Sequence, residues 1–197
     1  MISHNHKDTK IRKRKNKINK MAIKNPAPYK AIARPFTRNS RVKAKAYIKT
    51  VPPQAVVKFI MGDAAKFSRN GYKLMAEITS KQDAQVRDVA LEAVRTMLHR
   101  EIEAEIGLDY YMAVSVFPHH ILREHKQAAV AQADRMSSGM SLAFGKSVGR
   151  AAQVYAGKSL FTLAFNTDED IVKFRKIYGK TKQKFPCTTK LIVTKLA

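Results

Sequence analysis

His119, His120 and His125 lie within seven residues of one another and could in principle bind a metal. A structural zinc site needs four ligands, with Cys or His supplied in spaced pairs. The chain has one cysteine, Cys187, far downstream, so the spacing argues against metal. His119 is better read as shaping a strand end, and His125 as donating to RNA or to backbone. Ser137, Ser138, Ser141 and Ser147 are nucleophile candidates, but no G-x-S-x-G elbow or oriented His–Asp pair accompanies them. Gly145-Lys146-Ser147 has the ending of a phosphate-binding loop, yet position 140 is Met where that loop needs its upstream glycine. No cofactor and no catalytic residue is expected, and the chain reads as a non-enzyme.

What remains is cation chemistry. Between Gln127 and Gly149 the charges suited to phosphate are Arg135 and Lys146, with Arg150 just beyond. Arg123 and Lys126 precede them, and three glycines (Gly139, Gly145, Gly149) punctuate the stretch. A structureless segment of this length inside a compact domain is either functional or disordered. The segment is thus a binding loop or an inert surface insertion, and the Arg123–Lys126 cluster a binding patch or a solvated one.

The whole chain shares this bias. Its 197 residues carry 38 Lys and Arg against 15 Asp and Glu, a net charge of +23. Such an excess opposes compaction until a polyanion neutralises it. Nucleic acid is the first candidate and an anionic membrane surface the second. A spanning helix needs about 20 apolar residues. The longest stretch without a charged side chain runs only from Tyr110 to Leu122, so no membrane span is expected. The single cysteine cannot close an internal disulfide and fits a reducing, cytoplasmic compartment.

The elements that must position these cations follow in order. Residues 1–25 form a basic extension around IRKRKNKINK, with little to bury and hence expected to be disordered alone. Residues 26–53 form a proline-rich arm in which Tyr29, Phe36 and Tyr47 alternate with basic residues. Rings between cations suit splayed RNA bases; equally, they would pin an extended arm to the domain. Residues 54–197 form a single domain. Ala55–Met61 reads as a strand ended by Gly62-Asp63, and Tyr72–Thr79 as a half-buried strand by its strict alternation. Ser80-Lys81-Gln82-Asp83 predicts a capped helix to about Ile106, burying Val86, Val89, Ala90, Ala93, Met97 and Ile102 and stopped by Gly107. Tyr110–Phe117 is the next strand. After the loop, Ala152–Tyr155 and Leu160–Phe165 read as a hairpin around Ala156-Gly157-Lys158. Thr167-Asp168-Glu169-Asp170 opens a second helix that buries Ile171, Phe174, Ile177 and Tyr178 and stops at Gly179, before a last strand near Leu191–Leu196. The expected fold is α+β: a mostly antiparallel sheet with two helices packed on one face, a long functional loop at 127–149 and a basic N-terminal arm.

Five ordered segments carry a resemblance: RPFTR (34–38), VPPQAVVKFIMGD (51–63), AQVRDVALEAVR (84–95), FPHHILREHK (117–126) with ADRMSSGMSLAFGKSVG (133–149), and the KFP turn (184–186). Together they resemble the universal large-subunit ribosomal protein family sixteen, in its archaeal–eukaryotic branch. The resemblance implies a structural constituent of the large ribosomal subunit, in the ribosome, that binds large-subunit ribosomal RNA beside neighbouring ribosomal proteins. Its loop 127–149 would reach the peptidyl-transferase region and tRNA. By position, Arg34 and Arg38 would be arm contacts to RNA, and Arg123, His125 and Lys126 would form an RNA-facing strand end, with Arg150 nearby. Arg135, Gly139, Met140, Phe144, Gly145 and Lys146 would form the tRNA-side loop. The family usually has glycines where Val130 and Gln132 stand, an arginine at Ser141 and a proline at Ser147. Its members usually begin near Met21, and the short end after the last strand favours the archaeal form. The competing reading is a free-standing nucleic-acid-binding protein, such as a chromatin or tRNA-binding factor.

Overall fold

The computed structural model describes residues 27–32, 42–46, 48–125, 139–140 and 143–196. In chain order the elements are β1 (Ile60–Gly62), α1 (Ala64–Ser68), β2 (Leu74–Ser80), β3 (Ala84–Arg87), α2 (Asp88–Glu105), β4 (Tyr111–Val114), β5 (His120–Glu124), β6 (Lys146–Val154), β7 (Ser159–Phe165), α3 (Asp168–Thr181) and β8 (Thr189–Lys195). The expected α+β class is what the chain adopts, and every strand pairing among the described residues is antiparallel. The strands divide between two sheets rather than one: a larger sheet in the order β1-β4-β7-β2-β8 and a smaller one in the order β3-β6-β5.

The larger sheet is built around β2. Alternation buries Leu74, Ala76 and Ile78, as the sequence pattern requires, and both edges of the strand are paired, by β7 and by β8. Those side chains meet Met112 and Val114 of β4 and Phe161, Leu163 and Phe165 of β7 in one core. Helices α2 and α3 close this core through Leu91, Val94, Leu98 and Ile102 and through Ile171, Phe174 and Ile177. Phe161, Phe165 and Phe174 are wholly buried, and truncating such a ring to alanine typically costs about 3–5 kcal/mol. On the reverse face α1 covers a smaller cluster, its Phe67 stacked on Tyr111 with centroids 4.0 Å apart.

Several local signals were overridden by long-range pairing. The helix expected from Asp83 begins at Asp88, because Ala84–Arg87 pair with Ala151–Val154 and bury Ala84, Gln85 and Val86. The hydroxyl of Ser80 instead donates to the Gln82 carbonyl, and Asp83 accepts the Ala156 amide. A cap is worth about 1 kcal/mol, less than burying a strand. The buried stripe of α2 is consequently Leu91, Val94, Arg95, Leu98 and Ile102. Of the expected set only Ile102 is buried on the helix, and Ala93 is exposed. The Ala55–Met61 strand contracts to Ile60–Gly62, since the Ala55 and Val57 amides donate to the carboxylates of Asp88 and Glu92 instead of to a strand. The turn at Gly157 forms, but β6 and β7 enter different sheets and make no hairpin. Helix α3 opens at its Thr167 cap as expected and then runs through Gly179 to Thr181, with Tyr178 half-buried.

Candidate nucleic-acid interface

Of the expected binding residues, the smaller sheet carries Arg123, Lys146 and Arg150, because β5 and β6 flank the loop. β5 runs up to the loop and β6 returns from it, with Glu124 opposite Lys146 and Arg123 opposite Ser147. The register slips between Leu122 and Arg123, and such a bulge increases twist and re-aims the side chains beyond it.

Gly145 fixes how the loop rejoins the sheet. Its φ is +77°, and a Cβ there would lie 2.6 Å from the Glu124 carbonyl oxygen and 2.9 Å from the His125 nitrogen. Only glycine fits both the backbone and the space. One residue earlier, Phe144 lies under Arg123, whose Cζ is 4.2 Å from the ring centroid and whose Nη1 donates to the Phe144 carbonyl at 3.1 Å. A guanidinium held by a ring face and a carbonyl keeps its plane and needs little further ordering to meet an anion. His125 Nε2 donates to the Gly139 carbonyl at 2.7 Å, so of its two expected uses it serves backbone here. Lys146 and Met140 are exposed.

Arg150 is engaged differently. Its Nε donates to the Pro52 carbonyl at 2.8 Å, and Ser147 Oγ donates to the Thr50 carbonyl at 2.7 Å. Residues 50–52 are thereby strapped across β6, and Ile48, Pro52 and Val56 along this stretch are buried. A proline at position 147, usual in the resembling family, would have no hydroxyl for this bond. Arg34, Arg38, Lys126 and Arg135 lie outside the described residues, as do Phe36, Tyr47, Val130, Gln132 and Ser141.

The arm has a second attachment, at Tyr29, where the alternative of a ring pinning the arm to the domain is the one seen. Gln85 Nε2 and its amide donate to the carbonyls of Tyr29 and Lys30, both at 2.8 Å, and Arg87 lies over the Tyr29 ring. On the other side of Gln85, His120 Nδ1 lies within hydrogen-bonding reach of Gln85 Oε1 and Gln153 Nε2, so either neutral tautomer satisfies one amide. Burial pushes the His120 pKa below its ordinary value, with the charges of His119 and Arg123 adding to the effect. No sequence signal marks the Gln85 bonds to the arm, because their acceptors are backbone carbonyls.

Helix α2 contributes little positive charge. Arg95 is buried, its Nε donates to Glu92 at 2.7 Å, and that bond holds the Glu92 carboxyl below its usual range. Among the described residues no cluster of three or more His, Cys, Asp or Glu could hold a metal, and no helix is long and apolar enough to cross a membrane.

The described residues form a basic α+β domain whose strand ends and loop root carry Arg123, Lys146 and Arg150, the charge pattern of the class of proteins that meet polyanions. Comparison with known proteins makes this specific. The family model described as "Ribosomal protein L16p/L10e" matches residues 33–192. The chain is 34% identical over 160 residues to "Large ribosomal subunit protein uL16" of Pyrobaculum neutrophilum, covering 81% of this chain and 84% of that protein. It is 37% identical over 163 residues to the protein of that name from Hyperthermus butylicus, covering 82% and 85%. For Methanococcus maripaludis the figures are 36% over 177 residues, 89% and 96%. The chain belongs to the L16p/L10e family of ribosomal proteins, a structural rather than enzymatic family of the large subunit, and its similarity to archaeal members agrees with the resemblance read from the sequence.

Proposed function

We propose that this protein binds large-subunit ribosomal RNA through its arm, its Arg123 strand end and its loop root, and that loop 127–149 extends toward the peptidyl-transferase region and tRNA. The observation that carries the reading is the loop root. Gly145 packed against Glu124 and Arg123 clamped on Phe144 give a fixed platform at the root of a segment that is punctuated by glycines and carries Arg135 and Lys146. A root fixed in this way lowers the entropy lost when the loop meets its target. The strap across β6 joins the arm to the same platform, so arm and loop address one RNA neighbourhood. Arg34, Arg38 and Lys126 add phosphate contacts in this reading, and residues 1–25 act as a cationic tail. Family membership favours this over a free-standing nucleic-acid-binding factor.

Reconstitution of large subunits with Arg135→Ala/Lys146→Ala protein tests the proposal. The two substitutions should shift unfolding by no more than about 0.5 kcal/mol. Subunits should assemble, yet bind tRNA and form peptide bonds less well. Full tRNA binding and full peptide-bond formation would make the loop an inert insertion.

A further inference from the structure

The far end of β6 presents a second cationic surface, at the opposite end of the strand from the loop root. Three strands of the larger sheet meet there: β2 ends at Ser80, β7 starts at Ser159 and β8 starts at Thr189. The Ser80 amide donates to the Lys158 carbonyl at 3.0 Å, and the Lys81 amide to the Thr188 carbonyl at 2.9 Å. Thr79 is paired with both Ser159 and Lys190, and its hydroxyl donates to the Lys190 carbonyl at 3.3 Å. Adjacent strands lie about 4.8 Å apart, so the backbones of Lys81, Lys158 and Lys190 fall within roughly 10 Å of one another. All three side chains are exposed.

Beside them stands Tyr155, 58% exposed, its carbonyl accepting the Lys158 amide at 3.1 Å. The neighbouring carboxylate is Asp83, and its Oδ1 accepts the Ala156 amide at 2.8 Å, so it serves to fix the turn that presents Tyr155. An exposed ring among lysines suits an unpaired base stacking on the ring while flanking phosphates meet the ammonium groups. It suits a protein partner poorly, because the centres of protein interfaces are depleted in lysine. The nine residues of β6 rise about 3.3 Å each, which puts this surface roughly 27 Å from Lys146.

We infer that Tyr155, Lys81, Lys158 and Lys190 form a second RNA-contact surface, taking a single-stranded or bulged segment distinct from the RNA met by the loop root. The inference rests on the proposed binding of ribosomal RNA. The chain then acts as a strut between two RNA segments, with β6 as its rigid member.

The test uses full-length protein and isolated large-subunit RNA, with Arg123→Ala/Lys146→Ala as reference. Neutralising the patch (Lys81→Gln/Lys158→Gln/Lys190→Gln) should lower the slope of log K against log salt by about 2, since each lost phosphate contact removes roughly 0.7. Tyr155→Ala should weaken binding roughly tenfold with little change in slope, and Tyr155→Phe should restore it, because stacking needs only the ring. In reconstituted subunits a photo-crosslinker at position 155 should reach RNA nucleotides other than those reached from position 146. An unchanged slope and affinity for the patch variants, alongside weakened binding by the reference variant, overturns the inference and leaves the loop-root reading standing. Crosslinks from position 155 to protein alone overturn it as well. Wild-type protein that does not bind the RNA overturns both.

Discussion

Arg123 and Phe144, twenty-one positions apart, form a single unit: the guanidinium lies 4.2 Å over the ring and also donates to the carbonyl of the ring's own residue. The ring is partly exposed, so its stacking is worth about 0.5–1 kcal/mol to the fold. Phe144→Leu should therefore lower unfolding free energy by no more than about 1 kcal/mol in urea titration. It should cost more in RNA affinity than in stability, because a guanidinium that has lost the ring face beneath it must be re-ordered on binding. Equal losses in the two measurements would show the pair to be structural only.

Gly145 and Gly107 offer a matched comparison. Both have positive φ, +77° and +98°, but nothing lies within 4 Å of a Cβ added at Gly107. Gly107→Ala should cost only the left-handed backbone strain, about 1 kcal/mol. Gly145→Ala adds a collision with the Glu124 carbonyl and should cost at least about 1 kcal/mol more. Thermal unfolding of the two variants decides it, and equal costs would mean that the loop root yields easily.

How much of this was legible beforehand depends on whether a contact is local. The alternation of Leu74, Ala76 and Ile78 announces β2, and Thr167 with three following acids announces α3, since each signal lies within one element. Ala84–Arg87 reads as helix for the same reason, and becomes strand because residues 151–154 pair with it from across the chain. Gly145 stands out by residue type, whereas the Glu124 carbonyl that requires it does not. The strap is invisible in sequence, because Thr50 and Pro52 contribute only main-chain oxygens. The buried face of α2 runs through Leu91, Val94 and Leu98 instead of the expected Ala90, Ala93 and Met97, and it includes Arg95, a charge made tolerable inside by its Glu92 partner.

Arg95 and Arg100 should therefore separate cleanly. The Arg100 side chain is 77% exposed, so Arg100→Glu should leave stability within about 0.5 kcal/mol and RNA affinity nearly unchanged. Arg95→Glu places two carboxylates together in a buried setting and should destabilise by at least about 2 kcal/mol. Urea unfolding with filter binding gives both readouts. A strong affinity loss in stable Arg100→Glu protein would turn α2 toward the RNA.

The fold should also lose stability in mild acid through His120. Burial lowers its pKa from the ordinary 6.5, so below 6.5 the unfolded chain binds a proton that the folded chain resists. The contribution is complete above pH 6.5 and is lost as pH falls through the lowered folded value. His120→Gln, which keeps a polar group between Gln85 and Gln153, should flatten the urea midpoint between pH 7 and pH 5 relative to wild type. Identical profiles would exclude His120 as the titrating group.

The central strand of the larger sheet has a consequence for synthesis. β2 is made early, yet its partners are residues 159–165 and 189–195. Until residues 159–165 and then 189–195 have been made, Leu74, Ala76 and Ile78 lack the strands that flank them, and pairings so distant in sequence close slowly. The sixteen cations of the first fifty residues emerge before any of this. Each nascent copy is a long polycation attached to an unfinished sheet, so its exposure to stray nucleic acid is set by elongation time and not by the stability of the finished fold.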